Sequence, residues 1–130
     1  MPFMAMQHDV DPRDKLLASV GDLSQFELFG NKVLIAVYER PNVTKSGIHL
    51  ADATVQEDRY QGKAGLVVAL GPTAFLSDSN YDFMGQKVQV GDWVAVFVSD
   101  GRKLVVNKTL CRIVDDTDIR LKIPAPDVVY

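Results

Sequence analysis

The strongest constraint in this sequence is a series of short runs, rich in β-branched and apolar residues, that begins after Phe26. The runs are separated by turn signals such as Gly71-Pro72, Asp100-Gly101 and Asn107-Lys108. They cover residues 32–38, 63–70, 92–98, 103–106, 109–114 and 118–123. Short strands with tight turns and little helix are typical of small antiparallel barrels and sandwiches. The sequence therefore predicts an all-β fold of this kind.

The first and last runs carry further information. Residues 32–38 (KVLIAVY) are apolar on both faces, which indicates a strand that is covered on both sides. Residues 118–123 (DIRLKI) alternate between polar and apolar side chains. Because side chains of a strand point to opposite faces in turn, this alternation predicts Ile119, Leu121 and Ile123 on one face.

Length and composition fit a single domain without membrane or nucleic-acid contacts. The chain has 130 residues, of which 47% are hydrophobic, enough to fill one core. A net charge of −3 argues against a nucleic-acid binder that relies on a basic surface. No apolar run approaches the roughly 20 residues that span a bilayer, and no signal peptide is evident, so we expect a cytoplasmic protein. The single cysteine, Cys111, is expected to be a buried free thiol.

Residues 1–25 differ from the remainder of the chain and predict an N-terminal extension with a short helix. Asp11 provides an N-cap, Pro12 suits the first turn and Gly21 provides a stop. The apolar stripe consists of Leu16, Leu17 and Val20. So short a helix is marginal alone, and we expect it to dock on the body or on a neighbouring subunit. His8, which precedes the helix, is expected to be solvated.

Two connections are longer than the fold requires, since most connections in compact domains have about 4 to 6 residues. Residues 39–62 are polar apart from the apolar island Ile48-His49-Leu50, which follows Gly47. Residues 71–90 contain several apolar side chains: Phe75, Leu76, Tyr81, Phe83 and Met84. This second connection either packs on itself or meets copies of itself in other subunits.

The sequence predicts no enzyme, no metal site and no cofactor. Its two histidines, His8 and His49, lie in polar segments, and one cysteine cannot complete a zinc site. The acidic residues 115–118 (DDTD) invite comparison with a calcium loop, but in a loop that starts at Asp116 the sixth position needs glycine and is Leu121. A solvated turn is the better interpretation of this stretch, and Trp93 is interpreted as a core residue.

Four stretches are similar, in sequence and order, to the GroES-type co-chaperonins. Residues 31–35 (NKVLI) stand where that family has its first strand. Residues 44–50 (TKSGIHL) resemble its mobile loop, a glycine followed by an apolar tripeptide. Residues 62–72 resemble the strand that ends in its Val-Gly turn, and residues 88–94 (VQVGDWV) match its Val-x-x-Gly-Asp-x-Val signature. The resemblance covers residues 26–123.

The resemblance implies an irregular antiparallel β-barrel over residues 26–123, followed by a tail over residues 124–130. Such barrels form a heptameric ring that caps a GroEL-type chaperonin and encloses unfolded client protein, in an ATP-dependent cycle run by the partner. The mobile loop would be residues 41–61 and the roof loop residues 71–87. The residues implied for chaperonin binding are Gly47, Ile48, His49 and Leu50. Those implied for the subunit interface, between first and last strands, are Val33, Leu34, Ile35, Ile119, Leu121 and Ile123.

Several departures from the family pattern keep other interpretations open. Residues 1–25 have no counterpart in a minimal member, and His49 stands where valine is usual. One interpretation of this divergence is a virus-encoded member that works in a host cytoplasm. The alternative function is a small β-barrel structural or interaction subunit of a larger assembly, such as a phage particle. A relative of the zinc-dependent alcohol dehydrogenase barrel is disfavoured because the Cys and His ligands are missing.

Overall fold

The computed structural model describes residues 8, 10–39, 47, 49, 51, 63–97 and 99–129. These residues form one α-helix, six β-strands and two short 3-10 turns. The elements are α1 (Pro12–Val20), β1 (Lys32–Val37), β2 (Ala64–Leu70), β3 (Trp93–Ala95), β4 (Arg102–Val106), β5 (Thr109–Asp115), a 3-10 turn (Asp116–Asp118), β6 (Leu121–Ile123) and a second 3-10 turn (Pro126–Val129). The prediction of a mostly β fold with one short helix is confirmed.

The six strands form one antiparallel sheet in the order β4-β5-β1-β2-β3-β6. β1 and β2 lie at its centre, and apolar clusters cover both faces of β1, as its uninterrupted apolar run predicts. The helix-side cluster, on which α1 packs, includes Leu34, Ala36, Tyr38, Leu66, Trp93 and Cys111. The roof-side cluster, on the opposite face, includes Val33, Ile35, Val67, Val94 and Val114. The assignments of Trp93 and Cys111 to the core are confirmed.

An ion pair draws the two edges of the sheet together. The Asp100 carboxylate, in the turn before β4, accepts from Arg120 Nη1 at 3.4 Å in the segment before β6. The same carboxylate accepts from the Phe97 backbone N–H at 2.9 Å, and Arg112 Nη1 donates to the Phe97 carbonyl at 3.0 Å. Because β4 and β6 are the two end strands, these contacts curl the sheet toward a barrel.

The helix α1 forms where its capping residues predict. The Asp11 carboxylate accepts from the Arg13 backbone N–H at 2.8 Å, and the Gly21 N–H donates to the Leu17 carbonyl at 3.1 Å. Val20 is buried in the helix-side cluster. The helix therefore docks on the body of its own chain. No helix in the described part of the chain is long and apolar enough to cross a membrane.

The turn between β4 and β5 also holds the end of α1. Asn107 and Lys108 have φ values of 49° and 65°, which suits the two-residue hairpin that their position predicts. The Asn107 side-chain amide donates to the Val20 carbonyl at the last turn of α1. One hairpin turn thus satisfies a helix carbonyl that would otherwise lack a partner in the helix.

The predicted last strand is too long. Strand β6 covers only Leu121–Ile123, because the 3-10 turn Asp116–Asp118 precedes it. Leu121 and Ile123 pair with Ala95 and Trp93, which pack on the helix-side cluster, whereas Ile119 packs on the roof-side cluster. The prediction that all three side chains share one face is therefore wrong for Ile119, since residues outside a strand do not keep its two-residue period.

Candidate functional site

The two long connections begin at opposite ends of the sheet. One joins β1 to β2 and the other joins β2 to β3, and both strand pairs are antiparallel neighbours. A turn of two residues is enough to join such strands, so neither length is required by the fold. Because β1 and β2 run in opposite directions, the first connection leaves one end of the sheet and the second leaves the other.

We call the two ends of the connection between β1 and β2, at Tyr38 and Lys63, its root. Hydrogen bonds hold both of these ends. Tyr38, directly after β1, donates its backbone N–H to the Ala64 carbonyl at 2.9 Å. The Val96 N–H donates to the Lys63 carbonyl at 3.0 Å on the other side of β2. The Tyr38 side chain is only 2% exposed and meets the Trp93 ring edge-on, with 5.8 Å between centroids. Both ends of the connection therefore start from hydrogen-bonded positions, of which Tyr38 is buried.

His8 also reaches this root, although the sequence predicts a solvated side chain. Its Nε2 lies 2.6 Å from the Tyr38 hydroxyl, and it is half-buried. The prediction for His8 is therefore wrong. The physical reason is long-range, since His8 lies beside the end of β1, where a buried tyrosine hydroxyl needs a polar partner.

The predicted chaperonin-binding residues are only partly described by the structure. Gly47 is exposed with φ 88°, in the left-handed region that favours glycine, and no atom lies within 4 Å of an added Cβ. His49 is exposed. Ile48 and Leu50 lie outside the described residues, as does the rest of residues 41–61 apart from Ala51. Their assignment to partner binding stays a prediction.

The roof loop, residues 71–87, packs on itself. Phe83 contacts two aromatic rings, Phe75 at 5.4 Å and Tyr81 at 4.6 Å between centroids. Phe75 also packs against the roof-side cluster, which anchors the loop to the sheet. Of the two alternatives left open by the sequence, self-packing therefore describes these three aromatic residues in the single chain.

Short polar side chains shape the roof loop. Asp78 Oδ1 accepts from the backbone N–H groups of Asn80 and Tyr81, at 2.8 and 2.9 Å. Asp82 Oδ1 accepts from the Met84 N–H at 2.8 Å and from Ser77 Oγ at 3.1 Å. Ser and Asp side chains often hold turns in this way, so the composition of the loop contained this signal.

Besides Tyr81, two apolar side chains of the roof loop are exposed. Leu76 is exposed, and Met84 is 84% exposed with φ 55°, a conformation that L-residues rarely adopt. Their exposure within a single chain leaves them available for contacts outside it.

Asp116 holds the base of the roof loop. Its carboxylate, only 3% exposed, accepts from Asn31 Nδ2 and from the Phe75 backbone N–H, both at 3.0 Å. Its backbone N–H donates to the Asn31 carbonyl at 3.0 Å. The interpretation of residues 115–118 as a solvated turn is therefore wrong for Asp116. A local pattern of acidic residues could not reveal this role, since both partners are distant in sequence.

Replacing Asp116 by alanine is expected to lower the free energy of unfolding by about 2 kcal/mol, because two partly buried donors lose a charged acceptor. Asp116→Asn keeps one side-chain oxygen and should lose less. Chemical denaturation measures both values, and equal losses for the two variants would contradict the assigned hydrogen bonds.

The neighbouring Asp115 offers a matched control. Lys32 donates to its carboxylate, and this hydrogen bond raises the pKa of Lys32. Both side chains are nearly half exposed, at 46% and 44%. Since exposed ion pairs contribute little to stability, Asp115→Ala should destabilise the chain less than Asp116→Ala.

The residues predicted at the subunit interface occupy different environments. β1 pairs with β2 on one side and with β5 on the other, so neither of its edges is open to a neighbouring chain. Its residues Val33, Leu34 and Ile35 are buried in the core of the chain itself. Ile123 is buried and Ile119 is half-buried, whereas Leu121, on the end strand β6, is 53% exposed. Of the six residues, Leu121 alone is exposed.

An exposed apolar stretch directly before β1 was not identified from the sequence. Phe26 and Phe29 are 54% and 71% exposed, although large aromatic side chains are usually covered. The signal was present in residues 25–29 (QFELF), an apolar stretch whose spacing matches no complete helix or strand.

The described residues contain no group of three or more His, Cys, Asp or Glu side chains arranged to hold a metal ion. Cys111 is buried, and burial raises the pKa of its thiol. A thiol with a raised pKa is a poor nucleophile.

Comparison with known protein families matches this chain to one of them. The family model described as Chaperonin 10 Kd subunit matches residues 25–123. The matched span includes all six strands and both long connections, and it excludes α1. A search of curated proteins found no match. A match over most of the chain, together with the six-stranded antiparallel fold, shows that the chain belongs to the chaperonin 10 Kd subunit family, the GroES-type co-chaperonins.

Proposed function

We propose that this co-chaperonin forms a heptameric ring that caps a GroEL-type chaperonin and encloses an unfolded client protein. The large partner would bind and hydrolyse ATP, and the cap would work in the cytoplasm without a cofactor of its own. The observation that carries the proposal is the oversized connection between β1 and β2. It lies inside the family-matched span, and it starts from a hydrogen-bonded root although a short turn could join the same strands.

In this proposal residues 41–61 bind the chaperonin through Ile48 and Leu50. If the segment binds in an extended conformation, these two side chains share one face and His49 points to the other. Gly47, with its positive φ, would allow the chain to turn into the binding segment.

The roof loop would lie at the far end of the cap. The antiparallel order of β1, β2 and β3 supports this arrangement, because the two long connections leave opposite ends of the sheet. One end would then contact the chaperonin and the other would surround the top of the dome. Asp116 would keep the roof loop fixed to the sheet through its bonds to Asn31 and Phe75.

Ring assembly would use one of the two edges of the sheet. Strand β6 is an end strand, and open edges of this kind tend to pair with other chains. Leu121 on β6, together with Phe26 and Phe29 before β1, supplies exposed apolar surface for such a contact. We therefore propose an interface that joins β6 to the segment before β1, rather than to β1 itself.

Native mass spectrometry tests the function directly. The protein alone should appear as an assembly of seven chains of 14.4 kDa each. Mixed with a GroEL-type chaperonin, this ring should join the larger particle when ATP is present and separate from it when nucleotide is removed. A ring that never binds the chaperonin under these conditions would contradict the proposal and favour a structural subunit of a larger assembly.

A further inference from the structure

Tyr38 joins three parts of the chain at the root of the proposed chaperonin-binding connection. Its backbone N–H donates to the Ala64 carbonyl at 2.9 Å, and this hydrogen bond holds the root together. Its ring packs edge-on against Trp93 in the helix-side cluster. Its hydroxyl shares a hydrogen bond of 2.6 Å with His8 Nε2. A residue at this position can transmit a change in the N-terminal segment to the start of the connection.

The N-terminal segment, here His8 and residues 10–20, contacts the sheet at a second point. Val20, at the end of α1, is buried in the helix-side cluster, and its carbonyl accepts from the Asn107 amide. The segment is therefore attached at both His8 and Val20. It also lies outside the family-matched residues 25–123.

His8 contacts Tyr38 through a hydrogen bond and a tilted ring contact, beside an open cleft. A cleft of about 490 Å³ lies between the N-terminal segment and the chain after β6, lined among others by His8, Arg13, Trp93 and Asp127. The His8 and Tyr38 rings are tilted at 52° with 5.8 Å between centroids, so they do not stack face to face.

We infer that His8 and Tyr38 form a brace by which the N-terminal segment fixes the root of the connection and so positions it for the chaperonin. Both are positioning residues, because neither belongs to the proposed binding segment. A fixed root shortens the part of the chain that must be ordered when the partner binds. It also raises the effective concentration of each binding segment in a ring. This consequence rests on the proposed function.

A double-mutant cycle tests the brace in the full-length protein. Tyr38→Phe removes only the hydroxyl, and His8→Ala removes its partner. His8→Gln keeps a polar group that can bond to the hydroxyl. Ser19→Ala, at an exposed position of α1, is the control within the N-terminal segment.

Hydrogen exchange of the Tyr38 amide reports the root without any chaperonin, and the emission of Trp93, the single tryptophan, reports the neighbouring ring. Since one hydrogen bond contributes about 0.5 to 1.5 kcal/mol, each single variant should speed this exchange by about two- to tenfold. The double variant should add little to either single change. His8→Gln should restore slow exchange, and Ser19→Ala should leave exchange and emission unchanged. Unchanged exchange in Tyr38→Phe, or fully additive effects, would overturn the brace.

Affinity for a GroEL-type chaperonin with ATP, measured on the same variants, tests the positioning role. Tyr38→Phe and His8→Ala should weaken binding by a factor similar to the change in exchange, with partial rescue by His8→Gln. Faster exchange with unchanged affinity would overturn the positioning role and leave the proposed function standing. If the unmodified protein fails to bind, the proposed function falls and the positioning role falls with it, while the exchange data still decide whether the brace exists.

Discussion

Changing Ile48 and Leu50 together to serine is expected to abolish binding to a GroEL-type chaperonin while leaving the ring intact. Burying two such side chains contributes about 1.5 to 3 kcal/mol each. Ordering a segment on binding costs about 2 to 5 kcal/mol or more, so the two terms nearly cancel for a single chain. Without the apolar side chains, only the free-energy cost of ordering the segment remains.

The ring explains why so weak a contact can still support capping. Once one segment is bound, the others act at high effective concentration, and their contributions multiply. The same effect makes the loss of affinity large, because every chain of the double variant lacks its two apolar side chains. We therefore expect binding to fall below detection rather than by a small factor.

Native mass spectrometry with ATP and the chaperonin measures this loss and checks the ring in the same experiment. Ala51→Ser is the matched control, since it adds a hydroxyl next to the proposed anchors at an exposed position and should preserve binding. Full binding by the Ile48/Leu50 double variant would show that another surface carries the interaction.

The second large effect is expected at Gly101, where alanine should lower the free energy of unfolding by about 3 to 5 kcal/mol. An added Cβ would lie 2.0 Å from the Ile113 carbonyl oxygen and 2.7 Å from Val114 Cγ1. Ile113 cannot move aside freely, because it pairs with Arg102 of β4 and with Leu34 of β1. The substitution therefore combines steric overlap with the strain of a positive φ, which is 63°.

The substitution Gly30→Ala separates the effect of steric overlap from the effect of a positive φ. The φ of Gly30, 59°, is almost the same as that of Gly101, but no atom lies within 4 Å of an added Cβ. Gly30→Ala should therefore show only the conformational strain, about 1 kcal/mol. Urea denaturation measures both variants. Similar losses at the two positions would mean that steric overlap with β5 contributes little.

The parts of the fold that follow from local patterns were predictable. The N-cap and stop residues of α1, the apolar run of β1 and the turns at residues 100–101 and 107–108 all act within a few neighbouring residues. The structure confirms each of them. The family resemblance also depends on such short stretches, and the family match over residues 25–123 confirms it.

The candidate site was less predictable from the sequence. Asp116 looked like part of a solvated acidic turn, and His8 looked like a residue of a polar end. Each is instead paired with a distant group, Asp116 with Asn31 and His8 with Tyr38. Which polar groups are buried together depends on how the sheet is ordered, and no local pattern contains that information.

The sequence by itself determined that this chain is a mostly β member of its family, with two connections longer than the fold needs. Helix caps, strand periods and turn residues determine this much because their physics acts over a few residues. Only the tertiary structure decided that β1 is closed on both edges and that Leu121 lies exposed on an end strand. It also decided the bond between Asn107 and Val20, which are 87 residues apart, because such contacts form only when the complete sheet brings distant side chains together.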